Sequence, residues 1–242
     1  MRLFAAHLRA GSLELLRLPS FSLPTLLLPS VLFLLFAVGR TKSQSEGALA
    51  GFAAMAVLGV AVFQFGAGIA IERGYPWEAF VRSLPGAPAA RMAARVAAAV
   101  GFAVAATTLL VATALVTTDA SLSTMRWLAL IAALALGAVP FSLLGIALGY
   151  WAPPRSAVPI ANLLFLPLVV LGGLWTGGRH LPEQLDTVSR VLPTRPWAET
   201  VWTAAEGGAW PWWAPVALGG WTVAFGLLAL WGYRRDEGER FR

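Results

Sequence analysis

Residues able to do chemistry are few in this chain. Its one lysine, Lys42, sits in Gly39-Arg40-Thr41-Lys42-Ser43. A phosphate-binding P-loop needs Gly-x-x-x-x-Gly-Lys-Ser/Thr, so that backbone amides and the lysine can cradle the phosphates, and the glycine before Lys42 is missing. Gly-x-Ser-x-Gly and His-Glu-x-x-His are absent as well. Glu183 and Asp186 lie near His180, but acidic residues beside a single histidine read as a solvated face rather than a site. His7 and His180 are too few and too far apart to suggest a metal centre. With no cysteine, disulfides, thiolate metal sites and a cysteine nucleophile are excluded. What remains are polar groups inside apolar runs: Gln64, Asn162, Thr107 and Ser142. Each can hydrogen-bond a neighbouring helix or line a path for a passing molecule.

The elements that carry those groups follow from composition. Of 242 residues, 58% are hydrophobic and 12% charged, and the mean hydropathy is +0.70. Soluble domains carry about 25% charged residues. A water-soluble fold of this size could not hide so much apolar surface, so an all-α integral membrane protein is expected. A spanning helix needs about 20 mostly apolar residues. Six stretches free of Asp, Glu, Lys and Arg qualify: Leu18–Gly39, Gly47–Ile71, Val96–Thr118, Trp127–Pro154, Ser156–Gly178 and Gly207–Tyr233. They are continuous rather than alternating with period two, which argues against a β-barrel. Gly145 and Gly149 form a small-xxx-small pair for close helix contact.

Basic residues orient the spans. The N-terminal segment, the connections at 72–95 and around Arg155, and the tail 234–242 hold twelve of the 18 Lys and Arg; the acidic residues divide evenly. Positive charge marks the cytoplasmic face, so both termini are expected there, in the cell's inner membrane. The basic charge thus reads as topology, and no nucleic-acid partner is expected because the arginines form no recognition motif. Trp127, Trp151, Trp175, Trp210, Trp212, Trp213 and Trp231 fall near span ends, where indole rings prefer the interface.

Three connections are more than loops. Residues 1–18 place Phe4, Leu8, Leu15 and Leu18 on one helical face and arginines roughly opposite, which predicts a helix lying in the membrane interface rather than a cleavable signal peptide. In the 72–95 connection, Pro76 suits a first helical turn, and Trp77, Phe80, Val81 and Leu84 follow at helical spacing. Pro85-Gly86-Ala87-Pro88 stops that helix. It can rest on headgroups or act as a lever in the groove of a cytoplasmic protein. Within 179–206, two short amphipathic segments flank a turn at Pro193–Pro196. They are too apolar for a free loop and too short to span, which predicts a re-entrant helical hairpin at the outer leaflet, between the fifth and sixth spans.

Taken together, these residues resemble the permease subunits of type-2 ABC exporters, the ABC-2 type membrane protein family. The likeness rests on the six spans, the lead-in helix, Glu72-Arg-x-x-x-Trp-Glu-x-Phe-x-x-x-Leu-Pro, and the late run Phe165-Leu-Pro-Leu-Val-Val-Leu-Gly-Gly-Leu-Trp, Leu181-Pro-Glu-Gln-Leu and Leu192-Pro-Thr-Arg-Pro-Trp-Ala. It covers nearly the whole chain, a single permease domain. The resemblance implies two permease copies, most simply a homodimer, with two separate ABC ATPase subunits below them. ATP and Mg would be held by those ATPases, leaving this chain without a cofactor or catalytic residue of its own. It also implies that Pro76, Trp77, Glu78, Phe80, Val81 and Leu84 form a coupling helix with Glu72 and Arg73 at its base. Leu181, Leu185, Trp197 and Trp202 would belong to an outer gate. The cargo implied is a hydrophobic or amphipathic small molecule such as a drug, a peptide or a lipid. Two other readings are a non-transporting scaffold and a passive channel.

Overall fold

A computed structural model of the chain describes residues 5–9, 19–76, 88–175 and 189–240. Every regular element among them is helical. In chain order the long elements are α1 (Pro19–Ala37), α2 (Lys42–Arg73), α3 (Pro88–Thr117), α4 (Thr124–Trp151), α5 (Ala157–Leu171), α6 (Thr194–Glu206) and α7 (Trp213–Arg240). Five of the helical runs are long and apolar enough to cross a membrane: α2, α3, α4, α5 with its preceding turn, and α7. Helix α1 is apolar over Thr25–Ala37. Residues 5–9 are helical, and the remainder of the amphipathic segment 1–18 lies outside the described residues.

Local sequence sets the breaks. Gly39, at φ 78°, makes the reversal between α1 and α2, a conformation that glycine adopts without strain. The Thr41 amide donates to Gln44 Oε1 at 3.2 Å and closes the start of α2. The Ser123 hydroxyl accepts from the Arg126 amide at the start of α4. Helix α5 ends at Leu171, earlier than the charge-free stretch to Gly178, because Gly172-Gly173 terminate it and Gly173 turns to φ 82°.

Helix α2 is the centre of the bundle: 78% of its most apolar window is buried, against 22% for α7. Its middle, Ala61–Ala67, widens into a π-helix. Helix α4 lies against that segment through its glycines. A methyl group on Gly145 would stand 2.1 Å from the Ala61 carbonyl oxygen, and one on Gly149 would stand 2.7 Å from that of Phe65. The Gly145/Gly149 pair therefore sits where two backbones touch. Phe33, Phe52, Leu58, Leu110, Leu130, Phe141 and Trp197 fill the interior around this contact. Outward faces are apolar too, with Leu35, Val116 and Leu163 70%, 85% and 75% exposed. Aliphatic faces turned outward suit hydrocarbon as the surrounding solvent.

The α2–α4 contact has a direct test. Overpacking a close contact costs about 1–3 kcal/mol. Gly145→Leu is expected to lower the unfolding free energy in detergent by about that amount. Gly101→Leu, with open space around its Cβ, is expected to leave it unchanged within about 0.5 kcal/mol. Equal losses in the two variants would contradict the contact.

Candidate functional site

Three helix ends meet where α2 runs into the 74–87 connection. Arg73 is the last residue of α2. Its Nη1 donates to the carbonyl oxygens of Gly149 and Tyr150, each at 2.9 Å. Nε donates to Asp236 Oδ1 at 2.9 Å, and Nη2 bonds the same oxygen. The guanidinium also lies 5.6 Å from the centre of the Tyr150 ring. One side chain from α2 thus caps the C-terminus of α4 and holds α7. Two causes support the arrangement: the last carbonyls of a helix lack partners within it, and its C-terminus attracts positive charge. Asp236 is 5% exposed and needs a counter-charge.

The other end of the connection is tied as well. Glu72 pairs with Arg95 near the start of α3. The first flank of the 72–95 connection is therefore held on α4 and α7, and the second, at the start of α3, is tied back to the first. Beside this clasp lies a small cavity lined by Arg73, Tyr150, Trp151, Pro153, Arg235 and Asp236. Trp151 donates from Nε1 to the Leu228 carbonyl at 3.3 Å, and Arg235 lies 5.2 Å from its ring centre. Pro76 is exposed, while Trp77, Glu78, Phe80, Val81 and Leu84 lie outside the described residues.

The opposite end of the bundle holds a second polar cluster and α6. Glu46 is buried; its carboxylate accepts from the Ser121 amide at 3.2 Å and from Arg126 Nη1 at 3.4 Å, with Lys42 Nζ at 3.9 Å. The charge-free stretches of the sequence offered no buried charge. The structure corrects this, because α2 begins at Lys42 and draws Glu46 inside, where two cations and an amide answer its charge. Helix α6 spans 13 residues, about 20 Å at 1.5 Å per residue. That is too short for a hydrocarbon core of about 30 Å. It is nonetheless buried from Thr194 to Ala205, except for a half-buried Glu199. It starts at Thr194, inside the expected Pro193–Pro196 turn, since a proline in the first turn forfeits no intrahelical bond. Gly207, at φ 85°, caps it against the Arg126 side chain.

Trp197 and Trp202 are fully buried in α6. Trp197 donates from Nε1 to the Ala133 carbonyl at 2.8 Å and packs its ring on Gly137 and Phe141 of α4. Trp202 lies with its ring centre 5.5 Å from the guanidinium of Arg195, which pairs with Glu199 at 2.8 Å. Leu181 and Leu185 fall outside the described residues.

The polar groups within the spans stay apart. Gln64 lies in the π-helical segment, and its Nε2 is buried with no hydrogen-bond partner. Thr107 donates to the Ala103 carbonyl and Asn162 to the Val158 carbonyl, each one turn back on its own helix. Asn162 is exposed on α5, and Ser142 is half-buried on α4. Among the described residues, no group of three or more His, Asp or Glu gathers as a metal site would require.

Sequence reasoning missed Asp236, placing it in a charged tail. A signal was present: Phe225, Ala229, Gly232 and Asp236 recur at helical spacing, and all four are buried on one face of α7.

Apolar helical spans, a clasp at the foot of the 72–95 connection and a short buried helix at the far end together describe a helical membrane bundle. Residues 2–203 match the family model described as "ABC-2 type transporter", and the chain belongs to that family. Over 230 residues it is 24% identical to the Bacillus subtilis (strain 168) protein named "Putative transport permease YvfS", covering 93% of this chain and 94% of the relative. The chain is a multi-pass membrane protein, a permease of an ABC transporter system.

The clasp should govern stability. Removing one partner of a buried ion pair costs about 3–5 kcal/mol. Arg73→Ala is expected to lose that much unfolding free energy in detergent. Lys42→Ala, whose side chain is 56% exposed, is expected to lose less than about 1 kcal/mol. Equal effects would contradict the assignment.

Proposed function

We propose that this chain is the membrane-spanning subunit of an ATP-driven exporter for a hydrophobic or amphipathic small molecule such as a drug, a peptide or a lipid. In this reading α1 is the first span and brings the total to six, and residues 1–18 lie in the interface. Both termini face the cytoplasm from the inner membrane. Two copies of the chain pair, and two ABC ATPases bind beneath them. Hydrolysis of ATP with Mg takes place in those ATPases, because the 242 residues carry no P-loop.

The observation that carries the reading is the anchoring of the 72–95 connection. A segment that receives force must be tied to what it moves. Arg73 ties the first flank to α4 and α7, and the Glu72–Arg95 pair ties the second flank, the start of α3, to the end of α2. The apolar stripe Trp77, Phe80, Val81 and Leu84 is suited to a groove in a partner. At the far end α6 and the residues before it, including Leu181 and Leu185, close the outer mouth. A movement of the connection would then open a route between the two copies. Gln64, Thr107, Ser142 and Asn162 are the polar groups able to touch cargo on that route.

The test is copurification from the native membrane, followed by transport. A P-loop ATPase is expected to come down with this chain. Trp77→Ala with Phe80→Ala is expected to abolish ATP-dependent efflux while the spans stay folded. If a different class of protein comes down in place of an ATPase, the chain is a scaffold. If the double variant transports normally, the coupling role is wrong.

A further inference from the structure

Helix α4 is gripped at both ends, and its middle carries a weak point. At its C-terminal end Arg73 holds the carbonyls of Gly149 and Tyr150. In its other half it receives α6: the Arg126 side chain abuts Gly207, and Trp197 docks on the α4 surface. Between these grips lies Pro140, which has no amide to continue the ladder and whose ring crowds the carbonyl one turn back. Proline inside a helix is a common site of bending.

Trp197 lies across that weak turn. Its indole donates to Ala133, its ring rests on Gly137, and the same ring lies 4.9 Å from Phe141, centre to centre. Positions 133, 137 and 141 are successive turns of one helical face, and Pro140 falls between the last two. A methyl group at Gly137 would stand 2.1 Å from the ring, so the glycine is what lets the indole lie flat. One rigid aromatic group from α6 therefore splints α4 over the turn that proline weakens.

We propose that α4 is a relay hinged at Pro140, with Arg73 and Trp197 as its two positioning residues. While Trp197 is seated, the turn at Pro140 is held in one shape and α4 carries displacement of the Arg73 clasp to α6. When Trp197 lifts, α4 bends and α6 is released from the bundle. Helix α2 is a poorer conductor of the same movement, because its π-helical segment can take up a register change midway. The direction of this relay, from connection to outer helix, rests on the permease reading above; the splint itself does not.

The test uses the full-length chain in lipid nanodiscs with neither ATPase nor cargo. The absence of native cysteine allows spin labels at exactly two introduced sites, Val116→Cys at the end of α3 and Glu206→Cys at the end of α6. Both positions are exposed. With the labelled chain diluted into an excess of the unlabelled, cysteine-free chain so that each pair holds one labelled copy, the unsubstituted background is expected to give one narrow distance distribution. Trp197→Phe keeps a ring but loses the bond to Ala133, and is expected to add a second population. Pro140→Ala in that background is expected to restore the single narrow peak, which a merely structural role for Trp197 would not do. Arg73→Lys keeps the charge but cannot hold the two carbonyls and the Asp236 carboxylate together, and is expected to broaden the same distant pair. Asp236→Asn leaves the grip on the two carbonyls in place and is expected to change nothing at the outer pair.

Failure of Pro140→Ala to restore the peak would overturn the hinge. A shift with Asp236→Asn but none with Arg73→Lys would route the coupling through α7 and overturn the relay. Should Arg73→Lys not fold, the Trp197→Phe and Pro140→Ala comparison decides alone. Because no ATPase takes part, the relay can fail while copurification succeeds, and the reverse.

Discussion

One guanidinium decides how the charged end of this bundle is built. Arg73 closes α2, caps α4 and neutralises a buried carboxylate on α7. In an apolar surrounding an unpaired charge is very costly, and an unsatisfied carbonyl adds a smaller cost of its own. A single planar side chain with five donors meets both demands in one place. Lysine could supply the charge but not the fork. The same residue stands at the threshold of the connection, so whatever displaces that connection must first act on three helices.

The opposite end answers its charge differently. Glu46 is held by Arg126, Lys42 and a backbone amide, and Arg126 in turn abuts the glycine that caps α6. Between the two polar ends the protein relies on close approach rather than on polarity. Gly145 and Gly149 bring α4 against the π-helical segment of α2, and Gly137 receives Trp197. Where hydrocarbon surrounds a bundle, apolar burial alone gives little reason for helices to prefer each other over lipid, and intimate packing takes over that role. Small residues on α4 are therefore a condition for the assembly of α2, α4 and α6.

Much of this was legible from residue order. Charge-free runs located the helices, with ends displaced by up to eight residues, since burying Asp, Glu, Lys or Arg in a span is disfavoured. Gly145-x-x-x-Gly149 marked a tight contact, while α5 stops at Gly172-Gly173, short of the run that reached Gly178. The segment Pro196–Trp202 was readable as a short amphipathic helix, and α6 contains it. Less legible was anything depending on which helices meet. Nothing local to Asp236 says that its carboxylate turns inward to Arg73, 163 positions earlier. Glu46 looked like the edge of a loop until α2 extended past it. Trp197 read as part of an outer gate, and its docking on Gly137 and bond to Ala133 are contacts that only the paired surfaces disclose.

The proposed transport cycle depends on force entering at the segment after α2 from a nucleotide-binding neighbour. The most direct measurement is photo-cross-linking in intact cells from a reactive residue placed at Trp77. An adduct that binds ATP resin is expected, with none formed when the reactive group is moved to Glu206 at the end of α6. Adducts at Trp77 that contain no ATP-binding protein, or an ATP-binding adduct formed from Glu206, would contradict it.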